Sequence, residues 1–183
     1  IGFKNPGWGS VAAKLGIDAA LANELMDAAL ARVDKRALAM SKSERKARLR
    51  SSDALKTKAD AAGRAVLSKL RDAVFAELDA LPANKLRDFV LETIVDASSV
   101  MNPPYIKVTA MGGGSKAKVT DPGTDPMYAA ISSGRIGVAT ARDDSIVFTT
   151  KGGALFQLRL KFESQMLASS VKMSAEPAAK GKR

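Results

Sequence analysis

Apolar residues recur at helical spacing through roughly the first hundred positions and at strand spacing after them, and that switch predicts the architecture. "GIDAALANELMDAALARVDKRALAM" sets Leu21, Leu25, Ala29 and Val33 on one helical face. "SKSE", from Ser41 to Glu44, is a capping-box pattern that opens a second helix. Its apolar stripe continues through Val66, Leu70, Val74 and Leu78 until Pro82 stops it, which predicts one long rod. The first half of that rod is dense in Lys and Arg and poor in large apolar residues, so its basic end is expected to project from the body. A third helix, "NKLRDFVLETIVDA", turns Leu86, Phe89, Val90 and Ile94 inward.

From Asn102 the period changes. "YIKVTA" reads as a strand and "MGGGSKAKVTDPGTDP" as a glycine-rich loop. "DPMYAAISSG" reads as a short helix with Asp125 as N-cap, Pro126 at the first helical position and Gly134 just past the end. "RIGVATA", "SIVFTT", "ALFQLRLKFES" and "SSVKMS" are strands, and the tail "AAKGKR" is small, basic and mobile by composition. Helices followed by strands, without βαβ alternation, predict an α+β fold: N-terminal helices, one of them long and basic, then a mostly antiparallel sheet. The expected divisions are a helical region over 1–100, a strand-rich region over 101–176 and a basic tail over 177–183, together one composite domain. No internal repeat is visible.

Two registers compete for the hairpin built from "SIVFTT" and "ALFQLRLKFES". A two-residue Gly152-Gly153 turn sets Lys151 opposite Ala154 and Val147 opposite Leu158. A three-residue link sets Thr150 opposite Ala154, Phe148 opposite Phe156 and Ile146 opposite Leu158. The second keeps apolar residues on one face throughout, and register follows that pattern. It puts Gln157, Arg159, Lys161, Glu163 and Gln165 in a polar row, with Asp143 opposite Lys161 and diagonal to Glu163.

Composition narrows the chemistry. At 183 residues, with 46% hydrophobic and 26% charged positions, the chain is of ordinary globular make-up. No run approaches the roughly 18 apolar residues that cross a bilayer, so no membrane is expected. It begins at Ile1 rather than Met, which fits a processed start or a place inside a longer protein. Cysteine and histidine are absent. That excludes disulfides, thiolate nucleophiles, Cys/His zinc sites and histidine general bases. A cytoplasmic setting is consistent with such a chain. Any hydrolysis must use carboxylates, lysines, hydroxyls and a hard, oxygen-bound metal such as magnesium.

The net charge of +10 is unevenly spread. Residues 32–71 hold thirteen Lys and Arg against Asp34, Glu44, Asp53 and Asp60, an excess of nine. Residues 72–100 reverse the balance, with Lys85 and Arg87 against six acids. A basic stripe of this density suits phosphate backbones, and nucleic acid, DNA in first place, is the expected partner. Arg45, Lys46, Arg48, Arg50, Lys56 and Lys58 are the expected backbone contacts, joined by Arg159 and Lys161 on the strand face. Aromatics are scarce in the stripe, so base stacking is not indicated there. The competing expectation is a structural or assembly protein, such as a virion component, whose basic helix docks on a partner. A homodimer is compatible with both.

Three local motifs bear on chemistry. "NPPY", Asn102 to Tyr105, resembles the base-holding motif of adenine-N6 methyltransferases. The glycine-rich cofactor segment and doubly wound sheet of that family have no counterpart, so Pro103 and Pro104 read as a helix stop leading into a strand. "GGGSK", Gly112 to Lys116, lacks the spacing of a phosphate-cradling loop and reads as a flexible connection.

The third motif is the polar row. The stretch 143–165 resembles the core of the PD-(D/E)xK restriction-type nucleases, in which an Asp near a hairpin and an acid-x-Lys pair on the next strand bind magnesium and activate water. The resemblance implies a magnesium-dependent endonuclease, with Asp143 and Glu163 as metal ligands and catalytic residues and Gln165 where Lys is usual. Asp144 substitutes for Asp143 in the other register. No Pro precedes Asp143, a departure from the family pattern. The simpler reading makes Asp143 and Lys161 a cross-strand ion pair on a wet sheet face.

Overall fold

In the computed structural model, residues 2–96, 107–110, 117–120, 126–142, 144–164, 167 and 170–177 are described. Helix α1, Trp8–Leu15, buries Trp8, Val11, Ala12 and Leu15, and the Trp8 indole N–H donates to the Ala19 carbonyl at 2.9 Å. Gly16 ends it in the left-handed region at φ 70°, a conformation that costs glycine little. In α2, Leu21–Asp34, the most buried positions are Ala22, Ala29 and Leu30, while Leu21, Leu25 and Val33 are half-buried against the core. The helix stops short of the expected Met40 because Asp34 turns extended and its carboxylate accepts from the Arg36 N–H at 3.1 Å. A 3₁₀ turn, Lys35–Ala39, follows.

The capping box is present. Glu44 N–H donates to Ser41 Oγ at 3.4 Å, and Ser41 N–H donates to Glu44 Oε2 at 2.8 Å. What it opens is a short helix and not the rod expected from the sequence. Helix α3, Lys42–Leu49, ends at Arg50, and α4, Asp53–Ala80, starts afresh behind Ser52, whose hydroxyl accepts from Leu55 N–H at 3.3 Å. Two caps eleven residues apart, Ser41 and Ser52, define two helices, because each side-chain oxygen satisfies an N–H group that only a helix start leaves open. Nor does the basic end project: Leu49 and Ala59 are buried in the main core. Packing of these two apolar positions outweighs the repulsion that would favour an extended arm.

Helix α4 spans 28 residues, roughly 42 Å at 1.5 Å per residue, and turns Ala59, Gly63, Val66, Leu70, Val74 and Leu78 inward. It ends at Leu81-Pro82, as the proline requires. Helix α5, Ala83–Phe89, continues into a π turn, Val90–Ile94, and Leu86, Phe89, Val90 and Ile94 are buried as expected.

The strand-rich half contains one more hairpin than expected. Strands β1, Lys107–Ala110, and β2, Ala117–Thr120, pair antiparallel, so part of the expected loop is strand. The "NPPY" and "GGGSK" segments, Asp125 and the tail 178–183 lie outside the described residues. Helix α6, Pro126–Ser132, precedes a left-handed Gly134 at φ 67°. Then β3, Gly137–Arg142, β4, Ser145–Thr150, β5, Gly153–Phe162, and β6, Val171–Pro177, form an antiparallel meander in sequence order. The fold is α+β.

One sheet face carries Ile146, Phe148, Phe156, Leu158, Leu160, Phe162, Val171 and Met173, all buried in a core shared with α1 and α4. Phe148 and Phe156 stack at 4.5 Å between centroids, and Gly63 lets the Phe162 ring approach α4 closely. The apolar register holds: Phe148 pairs with Phe156 and Ile146 with Leu158. The turn is neither of the two expected. Thr150 pairs with Gly153 across a Lys151-Gly152 link, and an irregularity at Leu155 restores the apolar register beyond it. Burying two phenylalanines on one face outweighs the cost of a bulge.

Candidate polyanion-binding surface

On the wet face of β5 the side chains are answered from neighbouring strands. Gln157 donates to Glu176 at 2.6 Å, and Arg159 Nε donates to Asp144 Oδ2 at 2.8 Å. Burial disfavours the charged form of Asp144, but hydrogen bonds from Arg159 and from Ser145 outweigh it and hold the carboxyl below its ordinary value. Lys161 sits opposite Lys172. Glu163 is ion-paired with Lys172, which lowers its carboxyl, and the Lys42 charge adds to that shift.

These contacts bear on the magnesium centre. Asp143 and Gln165 lie outside the described residues. Of the expected set, Glu163 is described, and it is neutralised by lysine. Asp144, the alternative, is engaged by Arg159. Among the described residues no group of three or more carboxylates converges.

The basic stripe divides into structural and free cations. Arg45 is structural: its guanidinium donates to the carbonyls of Ala37, Met40 and Leu38 at 2.8, 3.0 and 2.9 Å, closing the 3₁₀ turn. Arg48 Nε donates to Asp34 Oδ2 at 2.6 Å, and that bond is the main reason the Asp34 carboxyl is lowered. Arg159 belongs with them, although its side chain remains half open at 53% exposure. Lys46, Arg50, Lys56, Lys58 and Lys161 make no ion pair among the described residues, and all but the half-buried Lys46 are exposed.

Two of the four acids in this stripe are used internally. Asp34 holds Arg48 and the Arg36 N–H, and Glu44 closes the capping box. The positive excess thus remains at the surface after folding.

Two cations absent from the expected contact set connect the stripe to the sheet. Lys42, in the first turn of α3, donates to Ser170 Oγ at 3.2 Å, and the Ser170 carbonyl accepts from Glu163 N–H at 2.9 Å. Lys172 completes the group. Lys42, Lys172 and Lys161 therefore link α3 to the polar face of β5. Their sequence separation of more than a hundred residues hides this, since charge counting sees only local density.

No family model matches the chain, and neither a curated protein nor a solved structure resembles it. Among the described residues, no helix is long and apolar enough to cross a membrane.

Proposed function

We propose that the protein binds nucleic acid, with the DNA backbone as its ligand, through the outer faces of α3 and the first half of α4, extended by Lys161 of β5. One observation carries this reading. Asp34 and Glu44 are consumed by internal bonds while Lys46, Arg50, Lys56 and Lys58 are left with no ion pair among the described residues. An uncompensated row of cations gains free energy from a polyanion chiefly by counterion release, which requires no particular base sequence. A cytoplasmic setting agrees with such a ligand.

The function proposed is binding. Its hydrolytic extension, magnesium held by Asp143 and Glu163 with Gln165 beside them, rests on the local resemblance alone. A single experiment separates the two. The protein is incubated with supercoiled plasmid, with and without magnesium, beside labelled duplexes of DNA and RNA. Binding predicts retarded, intact DNA at low salt. Metal-dependent cuts lost in Glu163→Ala would establish the extension, and no retardation at low salt would remove the proposal.

A further inference from the structure

Helix α4 carries a second pattern that neither its buried face nor the nucleic-acid surface uses. Ala62, Ala65, Lys69, Asp72, Ala76 and Asp79 follow one another at alternating spacings of three and four, so they form one stripe along the helix. Five of the six are exposed and Ala62 is half-buried. The two halves of this stripe differ in shape and sign. Ala62, Ala65 and Lys69 line a shallow groove of about 90 Å³ together with Leu25, Ala28 and Arg32 of α2, so its floor is small and apolar and its rim cationic. Asp72, Ala76 and Asp79 form an acidic ridge with a small residue at its centre.

The charges on the stripe are poorly served within one copy. Asp79 lies in the last turn of α4, where the helix dipole is negative and no basic residue is present. Arg32, Lys69 and Asp79 make no ion pair among the described residues. Asp72 is paired with the adjacent Arg71 at 2.8 Å but remains 62% exposed, open to a second donor.

We propose that two copies of this chain associate through the stripe, antiparallel, about a twofold axis passing α4 between Lys69 and Asp72. Such an axis sets each position of one helix against the position of its partner that packs with it in an antiparallel coiled coil. Lys69 meets the partner's Asp72, Ala65 meets the partner's Ala76, and Ala62 meets the partner's Asp79, beside Arg32. Each contact occurs twice, and each copy's ridge enters the other's groove. Ala65 and Ala76, in the layers flanking the Lys69–Asp72 pairs, allow close approach of the two backbones. The contact is small, in the class of weak and reversible interfaces. Lys46, Arg50 and Lys56 lie off the stripe and stay free in the dimer.

Sedimentation velocity on nucleic-acid-free protein tests this directly. Association that rises with protein concentration and weakens with salt is expected. Lys69→Asp or Asp72→Lys alone should raise the dissociation constant roughly tenfold or more, because each sets like charges face to face twice. The Lys69→Asp/Asp72→Lys double variant should recover the native constant, which a merely damaged fold would not. A native chain that stays monomeric at low salt, single variants that dimerise unchanged, or a double variant that stays weak would each overturn the dimer. DNA binding is measured apart from it.

Discussion

The salt dependence of DNA binding is the most direct consequence of the division between structural and free cations. Of the eight residues expected to touch the backbone, Arg45, Arg48 and Arg159 are engaged inside the protein. Lys46, Arg50, Lys56, Lys58 and Lys161 are not. If those five each neutralise one phosphate, log affinity should fall against log salt with a slope of about −4.5, at about −0.9 per contact on duplex DNA. Raising salt from about 50 to about 200 mM should then weaken binding by roughly 500-fold. Lys56→Gln combined with Lys58→Gln removes two contacts, so the slope should become about −2.7 and the loss over the same range roughly 40-fold. Arg48→Gln should leave the slope nearly unchanged and act instead on the fold, because it frees Asp34. Fluorescence anisotropy with a labelled duplex, repeated at several salt concentrations, gives each slope. A native slope near zero, or one that Lys56→Gln/Lys58→Gln does not change, would refute the reasoning.

The other predictions concern the scaffold. Gly63→Leu should destabilise the protein by about 1–3 kcal/mol in urea unfolding, as overpacking does, because a Cβ at Gly63 already stands 3.1 Å from the Phe162 ring. Ser41→Ala removes a satisfied N-cap and should cost about 1 kcal/mol in the same assay, with no change in the slope of DNA binding. Asp144→Asn tests linkage. The folded-state carboxyl of Asp144 is lowered, so its contribution to stability is present above the ordinary carboxylate range and is lost as pH falls through its folded value. The melting temperature of the variant should therefore lie below that of the native chain at neutral pH, and the gap should close in acid. A gap that widens in acid would reverse the assignment.

Which elements were legible in the sequence follows from which signals are local. The period switch near Asn102, the Ser41 capping box, the inward set Leu86, Phe89, Val90 and Ile94, and the apolar register of Phe148 with Phe156 all depend on neighbours within a few residues or on one alternating face. The break between α3 and α4 was local too, since Ser52 is a cap residue, but the continuous apolar period from Val66 onward masked it. The strand at Ala117–Thr120 was hidden in a glycine-rich context, because a short strand needs its partner to declare it.

The candidate site divides along the same line. Composition and order alone determined that the chain has no thiol or imidazole chemistry, that its charge is concentrated in residues 32–71, and that helices precede an antiparallel sheet. These are properties of residue type and spacing, and they exist before folding. Tertiary structure decided which cations remain available. Arg45 and Arg48 read in sequence like any other members of the stripe, yet their guanidinium groups hold backbone carbonyls and Asp34 once the 3₁₀ turn has formed beside α3. Lys172 pairs with Glu163, and Lys42, far from both in the chain, bonds Ser170 close enough for its charge to act on the same carboxylate. A charge becomes structural or free according to what the fold places within hydrogen-bond reach, and that placement is set by long-range packing of apolar faces.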